Sequence, residues 1–206
     1  MSTPAPKNSS TRKVTPSRRL VRVLVVCLAL YLAAGILVTI FQRQLLYHPT
    51  KIGTKILQVM AKSDGFEPWR NRTGEIIGWK SASPVVPAQG QVLIAHGNAG
   101  CAIDRSDYAK ALRGVSAFDV FILEYPGYGD RSGSPSQSSL LQSADEALQL
   151  LGTNAPVYVI GESLGTGVAT YLASAHPAQI SGLLLFAPYN ALTSVAQHHM
   201  PIFPAR

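Results

Sequence analysis

Gly161-Glu162-Ser163-Leu164-Gly165 sets one serine between two glycines, behind the apolar run VYVI (157–160) and ahead of a stretch to Ala175 that can be helical. A strand turning sharply into a helix at such a serine projects its hydroxyl above a sheet, at the positive end of the helix, where a developing anion is favoured. Glycines at 161 and 165 suit that turn because side chains there would collide. The chemistry this permits is attack of the Ser163 hydroxyl on an acyl carbon. Gly-x-Ser-x-Gly alone is a modest signal. The strand before it and the helix after it carry the expectation, against the alternative of an ordinary glycine-rich turn.

Acyl transfer also needs two N–H donors aimed at the oxyanion. The backbone N–H of Leu164 is one. His96-Gly97-Asn98-Ala99-Gly100, at the end of the apolar run QVLIA, offers the other, with Asn98 as the expected donor. His96 stands at a strand end ahead of Gly97 and is expected to shape that loop rather than to act as a base. Cys101 has no base at fixed spacing and is expected to be a small packing residue.

These residues need a scaffold that ends strands at loops. From about residue 73 the sequence alternates short apolar strands with helical periodicity. Strands are expected at GEIIGWK, Gln91–Gly97, Phe118–Tyr125, APVYVIGE and SGLLLFAPY. Helices are expected at Asp104–Arg113, with Asp104 as N-cap, at Ser138–Leu151 and at Leu164–Ala175. Near-continuous apolar strands alternating with helices mean βαβ units, hence an α/β fold with a mostly parallel sheet covered on both faces.

HGNAG, YPGYG (125–129) and GESLG occur in the order seen in membrane-anchored α/β-hydrolases with serine aminopeptidase-like domains. The chain resembles that family, whose relatives among the α/β-hydrolase-domain proteins include protein depalmitoylases. Gln137 departs from the glutamate that relatives commonly carry after Pro-Ser. The resemblance implies an α/β-hydrolase fold, an acyl-enzyme on Ser163, and substrates that are carboxylic esters, thioesters or amides. It also implies an acid and then a histidine after the serine in chain order. Residues 163–206 contain no Asp or Glu. His176, His198 and His199 do follow Ser163, but without a downstream carboxylate to orient them. His176, ahead of Pro177, is expected to end a helix, and His198 and His199 to lie on the surface. Asp104, Glu124 and Asp130 lie upstream with no spacing that ties them to the serine. SGLLLFAPY would be the sixth strand of a sheet that has eight in this family, and an apolar edge strand is an aggregation hazard. The expectation is a C-terminally incomplete hydrolase domain with low turnover; the alternative is a non-catalytic, membrane-tethered binding module on the same fold.

The remaining chemistry is that of a bilayer. Residues 1–22 hold Lys7, Arg12, Lys13, Arg18, Arg19 and Arg22 with no acid, so nearly all of the net charge of +7 sits there. Val23–Phe41 is 19 residues without a charge, enough to span a hydrocarbon core about 30 Å thick. A basic tail at 1–22, a transmembrane signal anchor at 23–41, a connector at 42–72 and a partial hydrolase domain at 73–206 are expected. By the positive-inside rule the N-terminus is cytoplasmic and the domain extracytoplasmic. Cleavage near Ala33-Ala34 would instead release the domain. Basic residues are not spread over a folded face, which argues against nucleic acid. No metal-ligand spacing and no dinucleotide loop is present, so no cofactor or metal is implied.

Overall fold

The computed structural model describes residues 17–83, 87–152 and 155–199; most of the expected basic tail and the final PIFPAR lie outside them. Two compact units divide after Phe41. Helix α1 runs Arg18–Leu46, is 29 residues long and buries none of them. It is long and apolar enough to cross a membrane. It begins earlier than the charge-free run, taking in Arg18, Arg19 and Arg22: arginine is a good helix former, and a helix nucleated in the apolar segment propagates at little cost. Pro49 sets its end, because the residue before a proline avoids helical backbone.

The second unit continues with β1 (His48–Pro49), α2 (Thr54–Ser63), β2 (Phe66–Arg70), β3 (Ile76–Ser81), β4 (Gly90–Ala95) and β5 (Ala99–Gly100). A 3-10 turn at Ala102–Arg105 leads to α3 (Ser106–Arg113), then β6 (Phe118–Leu123), α4 (Gln137–Leu150), β7 (Val157–Glu162), α5 (Leu164–Ala175), β8 (Ile180–Phe186) and α6 (Leu192–His199). The main sheet has six strands in the order β2-β3-β6-β4-β7-β8. β2 and β3 are antiparallel additions to a parallel set. Residues 42–72 are thus more than a connector, since they supply α2 and an edge strand of the main sheet. Phe66 and Trp69 of that strand are buried, while Pro68, which disguises FEPWR as a loop, is tolerated because an edge strand can spare an N–H. Asp104 does not cap α3. It lies within the 3-10 turn, and its carboxylate accepts the Cys101 N–H at 2.8 Å.

Alternation along the central strands builds two cores. Leu93, Ala95 and Val159 face Leu140 and Ala144 of α4 and Val168 and Leu172 of α5. Val92, Ile94, Val120 and Ile122 face Leu57 and Ala61 of α2 together with Ile103 and Ala109. Helices therefore cover both faces, as near-continuous apolar strands require. The register pairs Ala95 with Gly161, which sets the loop after β4 beside the end of β7.

Candidate active site

Ser163 joins β7 to α5 with φ 48° and ψ −114°, a conformation that non-glycine residues rarely adopt and that costs of order 1–3 kcal/mol. The surrounding packing enforces it. A Cβ on Gly161 would lie 2.7 Å from the Gly165 carbonyl oxygen and 2.8 Å from the Ala169 side chain. One on Gly165 would run into the Ala95 carbonyl and approach the His96 oxygen at 2.7 Å. Helix α5 thus lies against the end of β4 so closely that only glycine fits on either side of the serine. The Ser163 N–H donates to Phe186 O of β8 at 2.9 Å, fixing the turn from the other flank. Leu164 opens α5, so its N–H belongs to the first helical turn, which has no intrahelical acceptor.

Asn98 is held by three other residues. Its carbonyl accepts from His48 N at 2.9 Å and from the Tyr128 hydroxyl at 2.8 Å. Its side-chain amide donates to Leu46 O at 3.0 Å. These bonds fix the Asn98 carbonyl and side chain in place. The strand that does this holding, β1, runs parallel to β5 with His48 opposite Ala99 and Pro49 opposite Gly100. The Thr50 N–H continues the ladder to Gly100 O at 2.9 Å, and the Gly129 N–H donates to Thr50 O at 3.0 Å. Residues just after the long apolar helix are therefore threaded between the HGNAG loop and the YPGYG loop. Neither composition nor periodicity signalled this, because a two-residue strand has no period to detect.

A second unforeseen link ties the HGNAG loop to the serine turn. Arg105 Nε donates to Glu162 Oε2 at 2.7 Å and Nη2 to Oε1 at 2.9 Å, a bidentate pair, while Nη1 reaches Ala99 O at 3.3 Å. The guanidinium holds the Glu162 carboxyl below its ordinary range, against the opposing effect of burial. Glu162 is adjacent to Ser163, so this fork braces the serine against the loop carrying Asn98. The pairing spans 57 positions, beyond the reach of local spacing.

His96 has the structural place expected for it. It is fully buried, with Nδ1 2.8 Å from Gly97 O and its ring 4.2 Å from that of Tyr125. Its Nε2 lies 3.5 Å from Glu124 Oε1, and Glu124 accepts the Ala102 N–H at 3.1 Å. Cys101 is buried and its thiol is pushed up to about 12, chiefly by burial, so it is inert as a nucleophile. Of the upstream acids, Asp130 is engaged by the Thr54 N–H at 3.0 Å and Asp104 by Cys101.

His176 ends α5 at the opposite end from Ser163. Its Nε2 is 2.8 Å from Asp145 Oδ1, and the Tyr171 hydroxyl donates to Asp145 Oδ2 at 2.8 Å. A histidine with a carboxylate does exist downstream of the serine, but it staples α5 to α4. His198 is exposed on α6. His96, His176 and His48 direct their ring nitrogens to Gly97 O, Asp145 and Leu45 O respectively, and none of these three bonds involves the Ser163 hydroxyl.

Residues 90–205 match the model of the alpha/beta hydrolase fold family, more than half of the chain, and the chain belongs to that family. It is 31% identical over 198 residues to an uncharacterized protein of Mycobacterium tuberculosis, covering 88% of this chain and 66% of the other. It is also 31% identical over 145 residues to the lysophosphatidylserine lipase ABHD12 of Xenopus tropicalis, covering 64% of this chain and 36% of that one. The crystal structure of an alpha-beta hydrolase from Vibrio vulnificus shares the fold with a TM-score of 0.55 at 23% identity, over 72% of this chain and 55% of that one. The chain thus spans less than two thirds of each of these proteins.

Proposed function

We propose that this chain is the nucleophile-bearing part of a membrane-anchored serine hydrolase that transfers acyl groups from lipid esters to water. Ser163 attacks the acyl carbon, and the N–H groups of Asn98 and Leu164 hold the oxyanion. The observation that carries the proposal is the Ser163 backbone, held at φ 48° by two glycines that admit no side chain. An ordinary strand–helix turn has no reason to keep a strained serine there. Similarity to a lysophosphatidylserine lipase favours a lipid acyl donor; thioesters and amides, the substrates of depalmitoylases and aminopeptidases, are the competing classes. Helix α1 is the anchor, with the basic N-terminus cytoplasmic and the domain extracytoplasmic.

Residues 163–206 bring no carboxylate to serve a base, and an unactivated serine hydroxyl is a weak nucleophile. The 206-residue chain is therefore expected to form a fluorophosphonate adduct at Ser163 slowly, seen by peptide mass and absent from Ser163→Ala, with ester turnover near background. Labelling as fast as that of a complete triad would overturn the missing-base claim; no adduct at saturating probe would overturn the nucleophile. The competing reading is a tethered binding module on the same fold. The coding sequence past Arg206 separates the two: a downstream acid followed by a histidine completes the enzyme, whereas a stop codon there supports the module.

A further inference from the structure

Helix α2 turns an unusual face to solvent. Leu57 and Ala61 are buried against the sheet, at 2% and 0% exposure, while Ile56 and Val59, at i and i+3, are 60% and 70% exposed. Lys55 and Lys62 project on the same exposed side, and the helix, TKILQVMAKS, contains no acid. Neighbouring acids are already engaged. Asp64 is paired with Lys110 at 3.3 Å and accepts from the Ser106 hydroxyl at 2.6 Å, Glu67 is paired with Lys80 at 3.1 Å, and Asp130 holds Thr54. Among the described residues Lys55 and Lys62 have no ion-pair partner. Two apolar side chains flanked by unpaired lysines form the pattern of a helix that lies in a membrane interface, its apolar residues among the acyl chains and its ammonium groups at anionic headgroups.

Position along the chain selects the same partner. Thr54 follows Leu46, the last residue of the apolar helix, by eight positions, a reach of at most about 28 Å fully extended. Helix α2 is bonded to the YPGYG side of the site through Thr54 N to Asp130 at 3.0 Å, and the segment leading into it is bonded through Ile52 N to Gly129 O at 3.3 Å and through β1, laddered onto Ala99 and Gly100.

We propose that the Lys55–Ile56–Val59–Lys62 face of α2 docks on an anionic phospholipid bilayer and thereby presents the Asn98 and Gly129 loops to the lipid surface. This rests on α1 being an anchor and adds to it a second, electrostatically selected contact that orients the site for a membrane-resident substrate.

The test uses the full chain with Cys27→Ala, reconstituted into vesicles, with an environment-sensitive fluorophore on a cysteine replacing Val59. Val115, 83% exposed and at the strand ends away from the site loops, is the control position. In phosphatidylcholine vesicles containing phosphatidylglycerol, the probe at 59 should shift to the blue and be quenched by headgroup-level quenchers. The control should stay water-like. Lys55→Glu with Lys62→Glu should return the probe at 59 to its aqueous spectrum, since each lysine near such a surface contributes about fivefold in partition. An aqueous spectrum at 59 in a chain that resists alkaline carbonate extraction would overturn the docking and keep the anchor. Equal shifts at 59 and 115, or a shift at 59 without vesicles that marks a second copy as the occupant, would overturn it too. If carbonate strips the chain, the anchor fails, and a blue shift at 59 on adding anionic vesicles would still uphold the docking.

Discussion

The turn at Ser163 and the strand beside it, β8, belong to one sheet and are held in opposite ways. At the turn, carbonyls of β4 close on Gly165, Ala169 closes on Gly161, and Arg105 forks onto Glu162. One strand further out, Leu183, Leu184 and Phe186 of β8 are 41%, 49% and 41% exposed. Burial therefore falls off within a single strand spacing. The backbone at Ser163 draws its shape from β4 and α5 on the inner side and is bonded on the outer side to Phe186.

The largest blow to that arrangement is Gly165→Ala. The new methyl meets backbone carbonyls that cannot rotate away, so α5 must lift from β4, at an expected cost of about 3 kcal/mol. A fall in unfolding midpoint together with loss of Ser163 labelling would bear this out. An unchanged midpoint would mean that the close approach of helix and strand is absent in solution. Arg105→Met comes next, at about 2 kcal/mol for a charge-assisted pair, and it carries a pH signature. Glu162 titrates below its ordinary value when folded, so its contribution is present above the unfolded glutamate value and is lost as pH falls through the folded value. Wild type should lose stability across that acid window, and Arg105→Met should show a flatter profile there. Parallel profiles would remove the fork from the brace.

Ser163→Gly should act in the opposite direction. At φ 48° and ψ −114° the serine occupies the mirror image of extended backbone, which glycine adopts freely. Relief of strain should stabilise the chain by about 1 kcal/mol while abolishing covalent labelling. Destabilisation would show that the turn is not strained and would withdraw the main support for a nucleophile.

The contrast also explains what the sequence could disclose. The elbow was legible because its demands are local: glycine, serine and glycine within five positions, an apolar run before them and helical residues after. The α/β class was legible for the same reason, through periods of β4, β6 and β7. What stayed hidden was non-local or masked by one residue. Arg105 meets Glu162 across the sheet ends, β1 is too short to have a period, β2 is disguised by Pro68, and Asp145 meets His176 only because α4 and α5 pack side by side.

The gentlest test addresses the edge itself. Leu184 is about half exposed on a strand whose partner is β7, so Leu184→Lys should cost no more than about 0.5 kcal/mol in the isolated chain, as a surface substitution does. Among the described residues β8 is an outermost strand of the sheet; an apolar edge strand invites pairing with another edge, and a lysine there is a natural obstacle to that pairing. In detergent solution the substitution should leave the unfolding midpoint in place and reduce the concentration dependence of the sedimentation coefficient. A loss of about 2 kcal/mol would mean that Leu184 is covered in solution; the edge would then be as enclosed as the turn, and the serine would be held from both sides.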